Sequence, residues 1–138
     1  MKILPLLFLT LPILVEAVDE VDFNSQIKSL LSNRCIACHG PDEEHREAGL
    51  RLDTFDGATR DIDSYSAIVP GNPEESEILF RVTLEDGDQE LMPPKGRGER
   101  LSEEEVALLT EWIKQGAKYD KHWSYKVPVR AEVPEQEH

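Results

Sequence analysis

Apolar positions recur at helical spacing in three stretches of an otherwise polar chain. Between Val21 and Leu31 they fall at Phe23, Ile27, Leu30 and Leu31, which lie on one face of a helix. Asp22 or Asn24 can cap its start. Between Glu74 and Thr83, Ile78, Leu79 and Val82 share an inward face. Between Ser102 and Gly116, Val106, Leu109 and Ile113 form a stripe, with Leu108 and Trp112 beside it. Ser102 and Glu105 stand three apart as a capping box, and Gly116 supplies a C-cap. The pattern predicts an all-α domain in which the Phe23–Leu31 helix packs against the Ser102–Gly116 helix.

The segments between these helices are long and polar. From Gly40 to Gly71 only short apolar islands occur, at Leu50, Leu52, Phe55 and from Tyr65 to Val69. This predicts loops and turns, with one brief extended stretch around Leu50 to Leu52. Pro70-Gly71-Asn72-Pro73 is a turn signal. The loop from Gly87 to Glu99 contains Leu91-Met92-Pro93-Pro94. From Tyr119 onward the chain is rich in proline and charge and reads as a linker or tail.

The first residues change the picture of location. Lys2, the apolar run from Ile3 to Leu14 and the small residues Val15 and Ala17 read as an export signal over residues 1–17. Pro5 and Pro12 interrupt the run, which is short for a membrane span, so the only span this reading leaves open is an uncleaved leader retained as an anchor. The division is a leader over 1–17, one domain over 18–118 and a tail over 119–138. A chain of 138 residues, 39% of them apolar, has room for one such domain and a small core. The expected location is the periplasm or cell envelope. A formal net charge of −13 argues against nucleic acid or anionic membrane as a partner, and favours solubility or steering toward a basic protein.

Candidate chemistry sits directly after the first helix. Both cysteines of the chain fall in Cys35-Ile36-Ala37-Cys38-His39, the attachment pattern for c-type haem. Two thiols three positions apart can form thioethers with the two haem vinyl groups, and the adjacent His39 imidazole can serve as an axial iron ligand. The competing readings are a thiol–disulfide redox site, half of a zinc site and a structural disulfide. No strand pattern precedes Cys35 and no second cysteine pair exists.

A second axial ligand follows from the same logic. After the leader Met92 is the only methionine, and it lies in a proline-rich loop between two inward-facing helical segments. Thioether sulfur is a common haem ligand that raises the reduction potential. His45, in a charged stretch, and His122 and His138, in the tail, are weaker candidates. Haem carboxylates call for donors, and Arg51, Arg81 and Arg97 qualify by type. Arg51, between Leu50 and Leu52, is the one expected to point inward.

Cys35-Ile-Ala-Cys-His-Gly40 followed by Pro41-Asp42, Ala48-Gly-Leu-Arg-Leu-Asp53, Ile68-Val-Pro-Gly71 and Leu91-Met-Pro-Pro94 make the chain similar to the planctomycete-type cytochrome c domain. The resemblance runs from about Val21 to Trp123. It implies a small class I cytochrome c-like fold around one haem c, with His39 proximal and Met92 distal, that carries out electron transfer. In that family the domain usually precedes further domains of a longer exported protein, so the expected partners are such domains or a separate redox protein. Two other functions fit the residues: a haem module that serves an oxidoreductase or acts on peroxide, and a non-haem binding module stabilised by a Cys35–Cys38 disulfide.

Overall fold

Asp22 opens the first helical segment, its carboxylate accepting the Ser25 amide at 2.7 Å. The computed structural model that carries this contact describes residues 19–120. Residues 1–18 and 121–138, which include the expected leader and most of the expected tail with His122, Trp123 and His138, lie outside the described residues. Phe23–Ile27 form a single π-type turn that passes into α1, Lys28–Arg34. Short elements follow: α2 (Phe55–Thr59), a hairpin of β1 (Asp61–Ile62) and β2 (Tyr65–Ser66), and α3 (Glu77–Thr83). The longest element is α4, Glu103–Lys114. Turns of 3-10 type at Glu47–Gly49 and Pro73–Glu75 punctuate the loops. The chain is small and mostly helical, as the apolar periodicity predicts.

Both ends of α4 are built as its sequence reads. The Ser102 hydroxyl accepts the Glu105 amide at 3.2 Å, and the Glu105 carboxylate accepts the Ser102 amide at 2.8 Å. At the far end the Gly116 and Ala117 amides reach the carbonyls of Ile113 and Trp112, each at 2.9 Å. This double closure needs a left-handed residue after the helix, and Gly116 at φ +99° provides it.

The core lies where the Phe23 segment crosses α4. Ile27, Leu109 and Ile113 are fully buried, and Trp112 is 1% exposed. The Phe23 and Trp112 rings stack with centroids 5.9 Å apart. Each such side chain removed from water contributes about 1.5–3 kcal/mol. On α3, Ile78, Leu79 and Val82 are buried as predicted, while Phe80 faces outward. The Pro70-Gly71 turn closes through Asn72 N–H to Val69 O at 2.9 Å, with Gly71 at φ +83°, and its Gly71 amide docks on the Ile113 carbonyl at 2.8 Å.

Three expectations change. Leu50 is extended as expected, but the strand pairing among the described residues lies in a hairpin that was read as loop, where Ile62 faces Tyr65. Asp63 and Ser64, both at positive φ, make its two-residue turn, and Asp61 stabilises it by accepting the Ser64 amide at 3.0 Å. A further short helix, α2, appears where a loop was expected, capped by Thr54. Tyr119 is not the start of a free linker. Its ring packs 4.7 Å from Phe23 and 5.2 Å from Trp112, and its hydroxyl donates to the Leu52 carbonyl at 3.0 Å.

Candidate functional site

Cys35 ends α1, its amide donating to the Leu31 carbonyl at 2.8 Å. The chain then turns tightly, and the amides of Cys38 and His39 both return to the Cys35 carbonyl, at 3.1 and 2.9 Å. The turn is fastened to the next loop by Glu47 N–H to Cys38 O and Leu52 N–H to His39 O, each 2.8 Å. Gly40 follows the motif because nothing larger fits. A Cβ there would stand 2.3 Å from the Ile36 carbonyl oxygen. The Arg46 guanidinium then clamps the exit by donating to the carbonyls of Gly40 and Pro41 at 2.8 Å each.

Cys35, Cys38, His39 and Met92 all line one cleft that is open at its mouth. Its walls are largely apolar, with Leu50, Leu52, Ala67, Ile78, Val82 and Leu101 among them. The two thiols are free. Burial pushes the Cys35 thiol up to about 12, with Glu105 adding to the shift and Arg34 opposing it. Burial also holds His39 below the ordinary imidazole value, against the pull of the Glu47 backbone and carboxylate. The His39 Nδ1 atom is buried and has no hydrogen-bond partner among the described residues.

The cleft is charged differently from the chain. Arg34, Arg81 and Arg97 line it, against one carboxylate, Glu77. Arg34 is held by Glu105 and Glu99, both at 3.1 Å. Arg81 pairs with Glu77 at 2.8 Å and lies over the Tyr65 ring, 5.8 Å from its centroid. Arg97, more exposed, is 3.5 Å from Glu47.

Arg51 is the candidate that the structure does not bring to the cleft. Leu50 and Leu52 line the cavity and Arg51 does not. In extended backbone neighbouring side chains alternate in direction, and Arg51 instead grips Asp53 through two hydrogen bonds, Nε to Oδ1 at 2.9 Å among them. That pairing holds the Asp53 carboxyl below its ordinary range. His45 is an exposed residue whose Nδ1 lies 2.8 Å from Asp42. Arg34, Tyr65 and Glu77 line the cleft without having been candidates. Only Glu77 had a readable signal, its i,i+4 relation to Arg81.

No curated protein and no solved structure matches the chain. Residues 35–96, from the first cysteine of the motif to the loop beyond Met92, match the family model described as planctomycete cytochrome C.

Proposed function

We propose that this chain carries a planctomycete-type cytochrome c domain, as the match over residues 35–96 supports, and that it binds one haem covalently and passes single electrons to and from other proteins. The observation that carries the proposal is the convergence of Cys35, Cys38, His39 and Met92 on one apolar cleft, although Met92 is far from the motif in sequence. The residues fit the group. The free thiols of Cys35 and Cys38 are available for thioether bonds, and the His39 imidazole lines the same apolar cleft.

When bound, haem supplies a one-electron ferric–ferrous couple. The chain's part is attachment, ligation and exclusion of water. Cys35 and Cys38 fix the group to the end of α1. His39, its loop tied down through the Leu52 amide, and Met92 would hold the iron. The apolar wall keeps the cleft dry and tunes the potential. Arg97, held more loosely by Glu47 at 3.5 Å, is a cation at the cleft for a haem carboxylate. The small class I cytochrome c-like arrangement belongs to this reading.

The location belongs to it as well. Among the described residues no helix is long and apolar enough to cross a membrane, and the apolar leader of residues 1–17 supports export to the periplasm or cell envelope. The partner is a redox protein or a redox domain, with the charge of −13 favouring a basic docking face.

Potentiometric titration of protein expressed in the periplasm with haem maturation factors tests the function. One reversible one-electron transition, seen in the visible spectrum, is expected. A folded protein with no redox transition would remove the electron-transfer reading.

A further inference from the structure

Met92 is held from behind by a single residue of α3. Its amide donates to the Arg81 carbonyl at 3.1 Å, a bond that joins the Met92 loop to the last turn of the helix. The side chain of the same arginine reaches the same loop, with its Nη2 3.9 Å from Glu90, two residues before Met92. On the other side its Nε is fixed by Glu77 at 2.8 Å, one turn earlier on the helix, in a pair of which less than a quarter of either side chain is exposed. Tyr65 of the hairpin lies against the guanidinium. Arg81, Met92, Glu77 and Tyr65 all line the cleft.

We propose that Arg81 is the positioning residue for Met92, setting the loop so that the thioether is presented to the haem iron. The inference rests on the haem reading and on Met92 as a ligand. Its physical content is that the backbone bond fixes where Met92 docks against α3. The Glu77-anchored guanidinium meets the same loop at Glu90, two residues earlier. The Glu90 contact is long and exposed and contributes little alone. The shielded Glu77 pair and the Tyr65 face give the arginine one defined direction, so the loop meets a rigid surface. With a shorter neutral side chain the loop gains alternative positions, and the iron is open to exogenous ligand for a larger share of the time.

The test uses the holoprotein and two readouts that a general loss of stability does not mimic. One is the weak long-wavelength charge-transfer band of methionine-ligated ferric haem, and the other is the rate of carbon monoxide binding to the ferrous form. Arg81→Gln, which keeps the backbone bond and loses the side-chain contacts, should weaken the band and speed carbon monoxide binding roughly two- to fivefold, the scale of a weak ion pair. Arg81→Lys should restore part of both. Arg100→Gln is the comparison in the same loop, since Arg100 holds Asp86 and the Leu84 carbonyl and does not line the cleft. It should match the parent. Met92→Ala should abolish the band and bind carbon monoxide fastest. Arg81→Gln indistinguishable from the parent while Met92→Ala changes both readouts would overturn the positioning role, as would equal changes in Arg81→Gln and Arg100→Gln. Met92→Ala indistinguishable from the parent would remove Met92 as ligand, and the positioning role with it. If Arg81→Gln fails to accumulate, Arg81→Lys decides by the same readouts: a partial shift in both supports the role, and parental values overturn it.

Discussion

The carbonyl of His39 accepts the amide of Leu52 at 2.8 Å, joining the motif that carries the chemistry to the apolar wall of the cleft. The same strip of backbone receives the Tyr119 hydroxyl, on the Leu52 carbonyl at 3.0 Å. Through Tyr119 the wall is continuous with the aromatic cluster of Phe23 and Trp112. The site is therefore sensitive to residues well outside the motif.

Tyr119→Phe removes that bond and leaves the Leu52 carbonyl without it, at an expected cost of about 0.5–1.5 kcal/mol near neutral pH. Its second effect is on pH dependence. Burial raises the Tyr119 hydroxyl above its ordinary value of 10.0, with Asp53 and Cys35 adding to the shift. A raised acid binds its proton more tightly in the folded state, so its stabilisation is complete below the unfolded value and is lost as pH rises beyond it. Denaturant unfolding of the parent should weaken from about pH 10 upward, and Tyr119→Phe should flatten that decline. Parallel curves for the two proteins would count against the burial of this hydroxyl.

Gly40→Ala should be more damaging than an exposed glycine substitution. The added methyl group would lie 2.3 Å from the Ile36 carbonyl oxygen and 2.8 Å from its Cγ2 atom, so the turn carrying Cys38 and His39 must shift. Overpacking of this kind costs about 1–3 kcal/mol. Midpoints of chemical unfolding should fall accordingly, and the yield of haem-loaded protein should fall with them. Gly87→Ala, where nothing lies within 4 Å, provides the comparison for backbone strain at positive φ.

Ser102→Ala removes the capping box of α4 and should cost about 0.5–2 kcal/mol, with Ser102→Gly losing only a few tenths. Thermal unfolding monitored by circular dichroism distinguishes the two. Because Glu105 also holds Arg34 beside Cys35, the alanine variant reports on the link between α4 and the motif. Equal midpoints for the parent and the alanine variant would show that the cap does not contribute to stability.

How far the chain could be read from its residues follows from the range over which each signal acts. The α4 helix carries its stripe, its capping box and its closing glycine within one continuous segment, so local rules suffice. The Cys35-x-x-Cys38-His39 motif is equally local. Met92 reaches the same cleft by tertiary folding, and proline and the absence of a rival methionine were enough to single it out. Arg51 lies off the cleft because it pairs with Asp53, an interaction only two residues away that competes with an inward orientation. The hairpin was missed because Asp63-Ser64 adopts positive φ without glycine, the usual mark of such a turn. Tyr119 was hidden by the charge and proline that follow it, and its partners Phe23 and Leu52 are distant in sequence. The tie between Arg81 and Met92 is a backbone bond and leaves no trace in side-chain pattern.

Covalent haem is the central claim, and the most direct measurement is haem staining of the full chain after boiling in detergent and reductant, following periplasmic expression with cytochrome c maturation factors. The account predicts stain that stays with the polypeptide and is lost in the double variant Cys35→Ala, Cys38→Ala. Absence of stain from folded parent protein in a maturation-competent host would contradict it and return both cysteines to the disulfide reading.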